Sequence, residues 1–213
     1  MRSVRARDEL ILDCSSGLCY VNPSEEVLEK FAEVIEFHRR EIPEQASCAL
    51  AVTRDGTSIG ICGNISLLNE LPLVKRYGAH GVGLYRTEFM FMIRNSFPSE
   101  EEQYTLFRKV VEQGSQDGPV TIRLLDIGGD KPLPYVDFGG EENPVLGWRG
   151  MRFLLSNPQY LLPHLRAILR ASAHGRVNLL LPMVADLEEL LEVRDCLKTC
   201  EEKLDAAGHS YDP

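Results

Sequence analysis

Four short apolar runs, each followed by sequence of helical periodicity, constrain this chain more than any other feature. They span 59–65, 80–85, 120–126 and 177–184, the last reading Val-Asn-Leu-Leu-Leu-Pro-Met-Val. None alternates cleanly between apolar and polar residues, so each is predicted to be a strand covered on both faces. Strands of that kind pair in parallel beneath helices. The helical stretches carry their own punctuation. One spans 67–77, and one opens at Pro98-Ser99-Glu100 and closes near Gly114. Two more break near Pro158, and a last one runs from an Asp186 cap to Gly208. The region before them is different. It reads as a strand pair over 10–21 around Gly17, then a helix capped at Asn22-Pro23-Ser24, then a hairpin turning at Asp55-Gly56. The predicted class is α/β, with about four β/α units after a short strand and helix linker region. A closed (β/α)8 barrel needs about twice that number and around 250 residues.

Cations gather where the predicted strands end. Arg86 lies in Gly-Val-Gly-Leu-Tyr-Arg-Thr-Glu (81–88). Arg123 and Lys131 lie in Thr-Ile-Arg-Leu-Leu-Asp-Ile-Gly-Gly-Asp-Lys-Pro-Leu-Pro-Tyr (121–135). Arg149 and Arg152 lie in Asn-Pro-Val-Leu-Gly-Trp-Arg-Gly-Met-Arg (143–152). Arginine presents a planar, permanently charged fork matched to carboxylate and phosphate oxygens, so repeated arginines at strand ends point to a small, multiply anionic ligand. The chain has 32 acidic and 23 basic residues and a net charge of −9. These arginines therefore do not belong to a general basic coat, and nucleic acid is not expected as a partner.

Each cation also has a plainer role available. Glu88 and Asp126 are ready ion-pair partners for Arg86 and Arg123. Trp148-Arg149 can anchor a loop by stacking, and Arg152, about one turn on, can pair with an acid. Gly128-Gly129 would let backbone amides approach a phosphate with Lys131 beside it, but Pro132 and Pro134 equally fit an ordinary rigid loop.

Taken together, the three motifs resemble those of enzyme I, the phosphoenolpyruvate–protein phosphotransferase of the sugar phosphotransferase system or its nitrogen-related branch. Pyruvate phosphate dikinase and phosphoenolpyruvate synthase share the Arg-Thr-Glu and Gly-x-Arg-Gly elements, but the Asp-Ile-Gly-Gly-Asp-Lys-Pro-Leu-Pro-Tyr run resembles enzyme I. The resemblance covers about residues 18 to 213 and only part of that family's length, so the chain is expected to be a fragment. It implies that 1–23 end a swivelling phosphohistidine domain and that 24–56 form a linker helix and hairpin. Residues 57–213 would then be the first half of a TIM-type barrel. It implies Arg86, Arg123, Arg149 and Lys131 as substrate-binding residues for phosphoenolpyruvate. It also implies Mg²⁺ whose ligands lie outside this stretch and a histidine phosphocarrier protein as partner; the unpaired strand edges at 59–65 and 178–184 of such a fragment predict a homodimer. The family's phosphoacceptor Gly-Gly-x-x-Ser-His setting, its magnesium-binding Glu and Asp, and its proton-donating Cys have no match here, so this stretch alone is expected to be inactive. Two alternatives remain: a relative in the dikinase and synthase group, and a non-catalytic half-barrel that serves as an interaction module.

No apolar run approaches the roughly 18 residues that span a bilayer, and the start of the chain lacks a signal-peptide core, so the cytoplasm is expected. The six cysteines, at 14, 19, 48, 62, 196 and 200, include no Cys-x-x-Cys pair and are expected to be reduced. Cys196 and Cys200, one helical turn apart, make a poor zinc site. The histidines at 38, 80, 164, 174 and 209 read as surface residues. Glu25-Glu26, Glu100 to Glu102 and Glu188-Glu189 occupy helix first turns, where negative charge offsets the helix dipole.

Overall fold

A computed structural model describes residues 4–39, 51–116, 118–128, 133–136, 143 and 146–213. The chain divides into two compact units, Met1–Glu44 and Gln45–Pro213.

In the first unit, β1 (Leu10–Asp13) and β2 (Leu18–Val21) form an antiparallel hairpin with Leu10 opposite Val21. Asp13 closes the turn by accepting from the hydroxyl of Ser15, at 2.6 Å, and from that of Ser16, and these bonds lower its pKa to about 2. Gly17, at φ +69°, supplies the left-handed residue that the return needs. Helix α1 (Glu25–Arg39) follows, with Phe31 against Tyr20 at 5.6 Å between ring centres.

The second unit begins with the hairpin β3 (Ala51–Val52) and β4 (Ser58–Ile59), turning through Gly56 at φ +88°. A four-stranded parallel sheet follows in chain order: β5 (Gly63–Ile65), β6 (Val82–Arg86), β7 (Val120–Arg123) and β8 (Val177–Leu180). The strands are shorter than the apolar runs that announced them, because several flanking residues are buried as loop. Leu124, Leu125 and Ile127, for instance, lie in the core beyond the end of β7. A 3₁₀ turn at Leu68–Glu70 leads into α2 (Leu71–Arg76) between β5 and β6. Between β6 and β7 come α3 (Glu88–Met92) and α4 (Glu100–Gly114). Between β7 and β8 come α5 (Gly150–Leu155) and α6 (Pro158–Ser172), and α7 (Leu187–Ala207) follows β8.

The predicted caps at Ser99 and Asp186 are present. Ser99 accepts from the Glu102 amide at 3.3 Å while Glu102 accepts from the Ser99 amide at 2.8 Å. Asp186 accepts from the Glu189 amide at 2.9 Å, and Gly208 ends α7 at φ +72°.

The core of the second unit fills the space between the sheet and α4 and α6. Val82, Tyr85, Val120 and Ile122 meet Phe107, Val110, Val111, Leu165 and Ile168, all essentially buried. His164 corrects a sequence expectation, because it is buried and not on the surface. Its position between Leu161 and Leu165 places it on the apolar stripe of α6. There its Nδ1 meets the Gln103 side-chain oxygen at 2.6 Å, and its ring stands edge-on to Phe91 and Phe107. Burial lowers its pKa to about 3, so it is neutral across ordinary pH.

Candidate functional site

Arg86 and Arg123 are register partners, the last residues of β6 and β7. Parallel strands thus deliver two guanidinium-bearing residues side by side to the C-terminal edge of the sheet, the edge at which open and closed α/β folds place their sites. The residues around them explain the spacing of the motifs. Thr87 donates through Oγ1 to the Arg123 carbonyl at 3.0 Å and straps the end of β6 to that of β7. Glu88, buried at the start of α3, accepts from Arg123 Nη2. Arg86, Thr87 and Glu88 therefore play three parts: an outward cation, a strap between strands, and an anchor for the neighbouring arginine.

Asp126, three residues beyond Arg123, faces both directions. Its Oδ2 lies 3.6 Å from Arg123 Nη1, and its two oxygens accept from Arg149 Nε and Nη2, each at 3.0 Å. That two-point fork fixes the plane of the Arg149 guanidinium. Two glycines allow Arg149 to arrive there. Gly128 has φ +123°, and a side chain on it would come within 2.6 Å of the Trp148 carbonyl and 2.8 Å of Arg149 Cβ. Gly150 has φ +56° and lies against Met183, while the Met151 amide donates to the Pro182 carbonyl at 3.1 Å just past β8. Met183 itself is held at φ +58°, rare for a residue with a side chain.

Arg86 is exposed and forms no ion pair among the described residues. Its charge reaches Glu70 at longer range. The Glu70 carboxylate accepts from the amides of Ser66 and Leu67 at 2.7 and 2.8 Å. Those bonds, with a smaller contribution from Arg86, hold it below the usual carboxylate range. Burial, with Glu70 and Glu88 nearby, pushes the Tyr85 phenol well above its ordinary value and keeps it neutral. A cavity of about 280 Å³ lined in part by Cys62, Asn64, Glu70 and Val74 opens between β5 and α2.

Arg86 and Arg123 thus end neighbouring strands, and Asp126 links Arg123 to Arg149. Arg123 takes both of the acids foreseen as structural partners, Glu88 and Asp126. Arg149 forms an ion pair with Asp126 instead of only stacking. Arg152 does not pair with an acid among the described residues; it donates to the carbonyls of Leu146 and Gly147 at 2.7 and 2.8 Å and braces the loop before α5. Lys131 lies outside the described residues. Sequence reasoning missed the strap at Thr87 and the double duty of Asp126, although the adjacency Arg-Thr-Glu and the spacing from Arg123 to Asp126 were the signals.

Preorganised guanidiniums in this setting can bind oxyanions and stabilise charge that develops on them. Magnesium fits these residues poorly. Glu88 and Asp126 are occupied by arginines, and no three His, Cys, Asp or Glu side chains come together to hold a metal among the described residues.

Residues 40–213 match the family model described as PEP-utilising enzyme, PEP-binding domain. The chain is 40% identical over 211 residues to the phosphoenolpyruvate-protein phosphotransferase of Staphylococcus carnosus, covering 98% of this chain and 36% of that protein. It is 40% identical over 191 residues to the protein of that name from Buchnera aphidicola, covering 89% and 33%. Against the one from Haemophilus influenzae it is 38% identical over 212 residues, covering 98% and 36%. The chain spans about a third of the length of these relatives.

Proposed function

Because this chain belongs to the PEP-utilising enzymes, matching their PEP-binding domain, we propose that it is the phosphoenolpyruvate-binding part of an enzyme I-type phosphotransferase. The whole protein would move the phosphoryl group of phosphoenolpyruvate to a histidine and on to a histidine phosphocarrier protein, releasing pyruvate. The observation that carries this reading is the side-by-side placement of Arg86 and Arg123 at the ends of adjacent parallel strands, with Arg149 beside them through Asp126.

Phosphoenolpyruvate brings a carboxylate and a phosphate into a small space, and its phosphoryl group spreads charge over the equatorial oxygens as it leaves. Fixed guanidiniums suit both tasks. Arg86 would make the first contact, since Arg123 and Arg149 already have carboxylate partners, and Lys131 would add a point charge. Magnesium would be held by residues elsewhere in the whole protein. The four parallel β/α units would be the first half of a TIM-type barrel. The names of the relatives favour this reading over the dikinase and synthase group.

On the same premise the whole protein would act in the cytoplasm. No helix among the described residues is long and apolar enough to cross a membrane. Self-association of the isolated chain is supported by the sheet's margins, because β5 and β8 each have one strand neighbour among the described residues. Exposed Met183, Val184, Leu187, Leu190 and Leu191 follow β8. Open edges and apolar surface of this kind invite a second copy.

Titration calorimetry at low salt tests the binding. A ligand must compete with Glu88 and Asp126 for two of the three arginines, so the isolated chain should bind phosphoenolpyruvate with a dissociation constant in the millimolar range, about 4 kcal/mol of binding. Arg86→Ala should abolish it. Micromolar, magnesium-dependent binding, or binding indifferent to Arg86→Ala, overturns the site. Sedimentation velocity across a dilution series tests the dimer, and a monomer at all concentrations removes it.

A further inference from the structure

We propose that Asp126 is the positioning residue of the rim: it aims Arg123 and Arg149 as one unit and thereby sets which anions the rim accepts. This rests on the anion-binding reading above. Four side chains form an alternating chain of charge, Glu88, Arg123, Asp126 and Arg149, and Asp126 is the only acid of the four that faces both arginines. Glu88 holds Arg123 alone.

The state of Arg123 shows that the acids decide where its guanidinium lies. Its Nη2 donates to Glu88 and its Nη1 faces Asp126, while its Nε is buried without a hydrogen-bond partner among the described residues. An unpaired buried donor is costly, so a guanidinium free to choose its orientation would turn to satisfy it. The two carboxylates override that preference. On the other side, Asp126 spends both oxygens on the fork of Arg149, which fixes the angle of that group as well as its distance. Arg149 is forked to Asp126 and Arg123, hydrogen-bonded to Glu88, lies 3.6 Å from the same carboxylate, so the separation of the two guanidiniums is constrained. A constrained separation favours a ligand with two anionic groups close together over one with a single group.

The first test needs no ligand. In the chain with ¹⁵N-labelled arginine side chains, Asp126→Asn should shift the Nε–H signals of both Arg123 and Arg149, whereas Glu88→Gln should shift that of Arg123 alone. A stationary Arg123 signal in Asp126→Asn overturns the proposal. If Asp126→Asn does not fold, Arg149→Lys serves instead: it releases Asp126 from its fork and should shift the Arg123 signal, and an unmoved signal overturns the proposal.

The second test reads selectivity with phosphoenolpyruvate and inorganic phosphate as probes. The preference for phosphoenolpyruvate should fall about tenfold in Asp126→Asn, with phosphate affinity nearly unchanged, as expected when a coupling between neighbouring groups is removed. An equal loss for both anions would mean that Asp126 only supports the fold, and overturns its role in selection. If the unaltered chain binds neither anion, the anion-binding reading fails; if it binds both without preference, the role of Asp126 in selection is overturned. The ligand-free shifts then still decide whether Asp126 couples the two arginines.

Discussion

Two networks of arginine and carboxylate lie in the second unit, one at the strand ends and one between α4 and α6, and their depth is reversed. Between the helices the arginines are the deeper partners. The Arg170 side chain is 11% exposed while its acids Glu100 and Glu101 are 24% and 67% exposed, and its guanidinium lies 4.0 Å over the Tyr104 ring. At the strand ends the order reverses beneath Arg123, where Glu88 is 5% exposed against 18%, while Asp126 and Arg149 are both buried, at 7% and 9%. A buried arginine capped by open acids fills an interface and turns its charge inward. A buried acid behind an arginine is a backing that presents cationic charge outward. The same residue pair thus holds helices together in one place and prepares a surface in the other.

The strongest challenge to this contrast is to remove a backing acid. Asp126→Ala leaves Arg149 buried without its fork and should cost about 3 to 5 kcal/mol of folding stability, read from the denaturant midpoint. A loss below 1 kcal/mol would mean that the rim is as loosely held as a surface pair.

Acid should act on the helix interface through His164. Its folded pKa, about 3, is below the unfolded value, so its contribution is complete above about pH 6.5 and is lost as pH falls toward 3. That amounts to on the order of 3 kcal/mol by about pH 4. His164→Gln, which keeps a polar side chain beside Gln103 but cannot titrate, should flatten this limb of the stability profile. An unchanged limb would move the acid sensitivity elsewhere.

At the rim, Arg123→Lys keeps the charge and loses the planar fork. In a complete phosphotransferase carrying this domain, turnover should fall about a hundredfold, as for loss of a preorganised donor. A near-normal rate would remove Arg123 from the chemistry. The smallest effect is expected at the helix interface, where Glu100→Ala breaks pairs with Arg166 and Arg170 at 2.7 and 3.2 Å. These pairs are partly open to water, so the loss should stay near 1 kcal/mol in the same denaturant measurement. A cost equal to that of Asp126→Ala would erase the distinction.

Much of this was legible in the sequence, for identifiable reasons. Pro98-Ser99-Glu100, and Asp186 with Gly208, announced helix ends because capping is local chemistry. The strand-end arginines could be read because parallel strands deliver their last residues to one edge. Helix α3 was hidden, since Glu-Phe-Met-Phe-Met looks like a continuing apolar strand and only the strap at Thr87 marks the stop. His164 was misread because a titratable residue on an apolar stripe needs a distant partner, Gln103, to be tolerated there. The carbonyls that hold Arg152 are backbone groups, which no residue pattern displays.

The regularity of the sheet differs from strand to strand, and this sets an order in time. The ladder between β7 and β8 pairs four consecutive residues without a break and continues through the Leu124 amide to the Leu180 carbonyl at 2.9 Å. The ladder between β5 and β6 slips between Gly63 and Asn64, and that between β6 and β7 slips after Val82. Amide protons leave a sheet through local openings wherever pairing is interrupted, and elsewhere only when the whole unit opens. In deuterated water the amides of β5 are therefore expected to exchange first and those of β7 last. Arg123 grows from the strand that keeps its protons longest, so its backbone should hold its place while the β5 margin loosens.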